Sequence, residues 1–303
     1  MLFKADLSGA DLSGADLTDA NLFKANLSQS NLVDANLTGT DLSQSNLVDA
    51  NLTSANLSNA NLSKAYLSKA DLSDSRDIRN AAHDFMVQAF DTRYQFDFTW
   101  MGRPILQFPQ DLVALQEIIW DVRPDLIIET GVAAGGSATF FASLLELNAL
   151  SGGPKDAEVW CIEIKLRAHN REALLAHPMH PRLRIFDGSS VDKKIVSVIA
   201  EKAEKCESVM VILDSNHSHE HVLGELNLYA SLVSVGSYCV VFDTVIEDID
   251  YAKFLDRPWG KGDNPKTAVA EFLKINSDFV VDYSIDEKLF ISQAPGGYLK
   301  RVK

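Results

Sequence analysis

Two carboxylates and an imidazole have the types and spacing to do chemistry. Asp214-Ser215-Asn216-His217 sets an acid three residues ahead of a histidine, directly after the apolar run 208–213. Asp243 follows a second run of the same kind, 237–242. Acids presented from neighbouring strand ends suit a hard, oxygen-seeking divalent ion such as Mg²⁺. His217 would then reach a substrate hydroxyl held on that ion, and a neutral imidazole serves as a general base near neutral pH. His219 and His221 have no cysteine nearby to complete a zinc site, and they are better read as histidines at the start of a helix.

The elements that must carry these residues alternate along the chain. Short apolar strands are expected at 125–129, 158–163, 183–187, 208–214 and 237–243, with helices between them at 137–145, 167–176, 191–204 and 219–232. Two further helices, 76–90 and one from 109 or 111 to 120, precede the first strand, with an aromatic connection, 94–104, between them. This alternation implies a parallel sheet covered on both faces. The tail, 279–285 and 288–292, reads as a hairpin pair that completes the sheet. Ligands of such sheets sit beyond the carboxyl ends of the strands. Five acids end five strands: Glu129, Glu163, Asp187, Asp214 and Asp243. Helix capping explains any one of them, but five on one edge concentrate charge that calls for cations or hydroxyls. After Glu129-Thr130 comes Gly131-Val132-Ala133-Ala134-Gly135-Gly136-Ser137, a turn into a helix N-terminus. Gly131 permits a sharp turn, while Gly135 and Gly136 would let backbone approach a ligand.

Glu129-x-Gly131-x-x-x-Gly135-Gly136-Ser137 resembles motif I of class I methyltransferases, whose acid and glycines surround the methionine part of S-adenosylmethionine. Asp214-x-x-His217, the stretch from Trp259-Gly260 through Asn264-Pro265 to Val269, and Pro295-Gly296-Gly297-Tyr298 together resemble the cephalosporin hydroxylase / rhamnosyl O-methyltransferase family, over about residues 80–303. The resemblance implies a Rossmann-like α/β fold and metal-dependent methyl transfer from S-adenosylmethionine to a hydroxyl of a sugar, glycoside or natural-product scaffold. It implies that Glu163 binds the ribose, that Asp187 and the adjoining Ser189 lie at the adenine, that Asp214 and Asp243 hold Mg²⁺, and that His217 is the base. At Phe242 relatives commonly carry a second acid, so Thr244 is expected to help hold the ion here. The glycine-rich stretch 260–264 reads as a lid that excludes water. An iron- and 2-oxoglutarate-dependent hydroxylase needs His-x-Asp or His-x-Glu, which occurs nowhere in the chain. The glycine spacing is also wrong for a dinucleotide-dependent oxidoreductase.

The N-terminus follows a different rule. Leucine recurs every five residues from Leu2 to Leu72, preceded two positions earlier by Ala, Ser or Thr and one position earlier by Asp or Asn, save at Met1 and Tyr66. A period of five fits neither a helix nor a strand. It resembles the pentapeptide-repeat family, which implies a right-handed quadrilateral β-helix over 1–75 and places the α/β domain at 76–303. The period begins without a polar cap, so a homo-oligomer joined through the repeats is expected. Net charge is −14, of which the first 75 residues contribute −5, and no basic stripe is present to bind nucleic acid. No membrane-spanning run is seen, and three scattered cysteines fit a cytoplasmic protein with reduced thiols. The alternative to an enzyme is a non-enzymatic scaffold in which the repeats bind partners beside a degenerate α/β domain.

Overall fold

A computed structural model describes residues 2–70, 76–249 and 257–303. The chain divides into two compact units, Met1–Ala82 and His83–Lys303.

In the first unit, parallel bridges join residues twenty apart, from Asp6–Asn26 through Asn46–Tyr66, so four five-residue repeats make one coil. Leu22, Leu27, Leu32, Leu37, Leu42 and Leu47 are completely buried. So are the small residues beside them, Ala25, Ala35 and Thr40, because a wider side chain would collide where coils stack. From Leu7 to Leu62, the Asp or Asn before each leucine accepts a hydrogen bond from the backbone two residues on, as in Ser13 N to Asp11 Oδ1 at 3.1 Å and Val48 N to Asn46 Oδ1 at 3.2 Å. Asparagines also ladder between coils, with Asn46 Nδ2 donating to Asn26 Oδ1 at 3.1 Å. One residue per repeat turns the corner in the left-handed region, including Lys24 (φ 59°), Gln29 (φ 59°) and Asp34 (φ 57°). The end of the leucine period at Leu72 and the linker after it, 71–75, lie outside the described residues.

The second unit is built on a seven-stranded sheet. Its strands are β3 (Leu126–Thr130), β4 (Glu158–Glu163), β5 (Leu183–Asp187), β6 (Val209–Leu213), β7 (Tyr238–Val241), β8 (Phe279–Val281) and β9 (Tyr298–Arg301), and β1 (Thr99–Trp100) and β2 (Arg103–Pro104) form a separate two-stranded ribbon. The order is β5-β4-β3-β6-β7-β9-β8. The first five strands are parallel, and β9 lies antiparallel between β7 and β8. The helices are α1 (Arg76–Thr92), α2 (Pro109–Val122), α3 (Gly136–Leu150), α4 (Ala168–Leu175), α5 (Lys193–Ala203), α6 (His219–Tyr229), α7 (Pro265–Ile275) and α8 (Tyr283–Lys288). Central β3 sends Ile127 to one core, with Phe140, Phe141 and Leu145 of α3, and Leu126 and Ile128 to the other, with Leu226 and Tyr229 of α6.

The tail departs from expectation. Residues 283–288 form α8 and not a strand, because Asp282 caps Ser284 N (3.2 Å) and so starts a helical turn. The hairpin partner of β8 is therefore β9, beyond the Pro295–Gly297 turn. The sheet is mixed at that edge, where β9 runs against both of its neighbours.

Candidate active site

The switch point of the sheet lies at β3, whose neighbours β4 and β6 are reached by connections running in opposite directions. Pairing of β3 with β6 continues one residue past the end of β6, where Asp214 N donates to Thr130 O at 3.0 Å. Gly131 therefore sits directly against the Asp214 carbonyl, and a Cβ there would lie 2.0 Å from that oxygen. Gly136 is as tightly placed against Pro104 O, at 2.1 Å. These glycines are required by protein backbone packing on protein backbone, and the expected approach to a ligand is not what fixes Gly136. Gly135 turns the chain at φ 86° against the Leu174 side chain.

A cavity of about 660 Å³ opens beside this turn. Gly131, Val132, Gly136, Ser137 and Glu163 line one part of it, and Asp214, His217 and Asp243 line another. The donor atoms of Asp214, His217 and Asp243 lie within 4.8 Å of one another. His217 Nε2 is 3.2 Å from Asp243 Oδ2, and its ring meets Trp259 edge to face at 5.1 Å. Burial pushes the Asp214 carboxyl well above its usual range, and the neighbouring Asp243 and Glu129 push it further. Two carboxylates and an imidazole at this separation fit a divalent cation, which would offset the repulsion between the acids.

The remaining expected residues are distributed unevenly. Glu163 Oε2 accepts from Val132 N and Ala133 N, both at 3.0 Å, and Oε1 accepts from Lys165 N at 3.1 Å. It thus shapes the glycine turn as well as facing the cavity. Glu129 is buried behind the lining, where the Cys161 thiol donates to it at 3.4 Å. Its carboxyl is raised to about 7, chiefly by burial. Thr130 is buried too. Asp187 is exposed, paired with Arg171, and outside the lining, as is Ser189, whose hydroxyl accepts from Val191 N at 3.4 Å. Thr244 is fully buried, and its hydroxyl donates to Pro295 O at 2.9 Å, away from the acid cluster. Phe242 is core, so His217 and not Phe242 or Thr244 occupies the third corner.

The glycine-rich stretch expected as a lid is a pinned turn. Gly260 and Asp263 bond each other's backbone both ways at 3.0 Å, Glu247 accepts from Gly262 N at 2.8 Å, and Asp263 accepts from His219 N at 2.7 Å. His219 and His221 start α6 and take side-chain partners: Thr267 for the first, Ser190 and Ser215 for the second.

Four supporting residues escaped sequence reasoning. Arg103 and Asn170 hold the glycine turn from outside through Ala134 O (3.0 Å) and Ala133 O (3.2 Å). Gln107 and Gln293 flank the two acids, the first countering the rise that burial imposes on the Asp214 carboxyl and the second donating to Asp243 Oδ1 at 3.4 Å. A lone glutamine or arginine in a connecting segment carries no spacing signal, so none was there to find.

The family described as rhamnosyl O-methyltransferase/CmcI matches residues 92–302, and pentapeptide repeats (8 copies) match residues 2–39 and 35–74. Rhamnosyl O-methyltransferase of Mycobacterium tuberculosis is 30% identical over 205 residues, covering 67% of this chain and 78% of the relative. The enzyme of the same name from Mycobacterium leprae is 29% identical, with 67% and 82% covered. A solved CmcI-D160 structure with Mg and SAM aligns at 20% identity and a TM-score of 0.46, covering 69% of this chain and 78% of that one. Match and site fall on the same residues, and the chain belongs to the rhamnosyl O-methyltransferase/CmcI family.

Proposed function

We propose that the protein transfers a methyl group from S-adenosylmethionine to a hydroxyl of a sugar-containing acceptor, with a divalent ion such as Mg²⁺ held by Asp214 and Asp243. One observation carries this reading: the Asp214–His217–Asp243 cluster opens on the same cavity as the Gly131–Ser137 turn and Glu163. The mycobacterial relatives, named rhamnosyl O-methyltransferase, agree with it. A bound divalent ion would lower the pKa of an acceptor hydroxyl and fix its position. Glu163 would accept a hydrogen bond from the ribose with the lone pair of Oε1 that its backbone partners leave free. Asp187 and Ser189 would reach an adenine only after Arg171 releases Asp187, so they are the weaker part of the cofactor site.

His217 would act as the base. With Nε2–H donated to Asp243, the lone pair lies on Nδ1 and can take the acceptor's proton. The closeness of His217 to both acids also favours a second role, third ligand to the ion. The roles separate experimentally, since loss of a ligand weakens metal binding and loss of a base does not.

We assign residues 1–75 to a right-handed quadrilateral β-helix for assembly or interaction and 76–303 to catalysis. Unpaired Cys161, Cys206 and Cys239 support a cytoplasmic setting, and apolar side chains exposed on α2 and α3 (Val113, Trp120, Leu147, Leu150) support self-association. No helix among the described residues is long and apolar enough to cross a membrane.

Calorimetric titration with S-adenosylmethionine, with and without Mg²⁺, tests the proposal. Binding of the cofactor, followed by methylation of a rhamnoside in the presence of the ion, is the expected outcome. A chain that binds neither would instead be the scaffold protein of the alternative reading.

A further inference from the structure

Both acids of the cluster have a glutamine beside them, and both glutamines lead back to one short stretch at the start of α2. Gln107, only 2% exposed, lines the same cavity as Asp214, and its side-chain amide favours the charged form of that carboxyl. Next in sequence, Phe108 N donates to Gln293 Oε1 at 3.0 Å, which turns Gln293 Nε2 toward Asp243 Oδ1. One helical turn on, buried Asp111 accepts from Gln293 N at 2.8 Å and from Ser292 Oγ at 2.6 Å, locking the loop that carries Gln293. Asp243 itself sits in the left-handed region (φ 57°), a strained backbone that its surroundings hold in place.

Two details argue that this is more than packing. The carbonyl oxygen of Gln107 is buried without a hydrogen-bond partner among the described residues, a feature that costs stability. A methionine or leucine would fill the same space without that cost. The donors are also neutral amides. A lysine or arginine would satisfy an acid and compete with a cation, whereas an amide orients the oxygen and leaves its charge available.

We propose that Gln107 and Gln293 are positioning residues for the divalent-ion site, acting through Asp214 and Asp243 respectively. This rests on the ion-binding part of the proposed function. The first variant is Gln107→Met, which keeps the volume and removes the orphaned oxygen. Metal-free Gln107→Met should melt no lower than the parent, yet bind Mn²⁺ or Mg²⁺ alone about 10–100-fold more weakly by calorimetry. Its affinity for S-adenosylmethionine without metal should stay within about twofold, and saturating Mg²⁺ should restore turnover. Placing Gln107→Met in an Asp214→Asn background should produce no further loss of ion affinity, because the residue acts through that acid. Gln293→Met should behave in the same way with Asp243→Asn. Ion affinity unchanged in both variants, or a lower melting temperature with ion and cofactor affinities falling together, would overturn the proposal. A parent that binds neither ion would overturn it along with the proposed metal site, whereas a parent that binds ion beside unaffected variants overturns this proposal alone.

Discussion

The two units spend their residues in opposite ways. In the repeats, position within a five-residue period decides the environment of each side chain, and Leu27, Leu32 and Leu37 are interchangeable. In the α/β unit, no position repeats, and two residues of the same type have unrelated work. Asp111 is a sealed acceptor for three groups, Asp187 an exposed partner of Arg171, and Asp214 one corner of a donor cluster. Redundancy makes the first unit easy to read and silent about activity. Singularity makes the second specific.

That contrast is open to test by single substitutions. The largest effect should come from the unit where nothing is duplicated. His217→Ala is expected to lower turnover by about 10²–10⁴ while leaving S-adenosylmethionine affinity intact. A fall in Mg²⁺ affinity in the same variant would assign His217 to the metal as a ligand instead. In the repeats, Leu37→Ala should cost about 2–5 kcal/mol of stability through a cavity between coils, measured by denaturant unfolding, with methyl transfer unaffected. If turnover falls in parallel, the units are not as independent as their folding suggests.

The next effect is read through pH. Burial raises the Asp111 carboxyl from an ordinary 3.8 to about 6. Between those values the folded protein holds a proton that the unfolded chain has released, so stability should decline as pH rises from about 4 to 6. The decline should be on the order of 3 kcal/mol. Asp111→Asn should make that segment shallower, leaving the slope contributed by the raised Glu129 carboxyl, and a profile that the substitution does not change would place the titrating group elsewhere. The smallest effect belongs to the repeats. Asn46→Ala removes one rung of the side-chain ladder and the cap on Val48 N, and should cost about 0.5–1.5 kcal/mol.

Legibility in the sequence followed the same division. The leucine period gave the inward face of the coils directly, because burial there is a matter of counting. It did not announce the left-handed corners at Lys24 and Gln29, since neither residue type prefers that conformation. The parallel strands β3 to β7 were visible as apolar runs ending in acids, and Asp214, His217 and Asp243 were visible with them. Which acids share a cavity was not visible. A strand-end carboxylate can face the pocket, as Glu163 does, sit behind it, as Glu129 does, or turn out to solvent, as Asp187 does. The choice depends on partners far away in sequence, such as Arg171 and Cys161. Thr244 was misplaced for the same reason, because its hydroxyl is claimed by Pro295 O, 51 residues on.

The twenty-residue coil has a consequence for how the gene can change length. Removing twenty residues from the repeats would delete one full circuit, and each remaining bridge would find an equivalent partner. Removing five would keep leucine inward but shift where the chain leaves the stack by a quarter of a circuit. Removing any number that is not a multiple of five would turn polar residues into the interior. Insertions and deletions in this segment should therefore be tolerated in steps of five, with steps of twenty the quietest, as on a ratchet whose tooth is the pentapeptide and whose full turn is the coil.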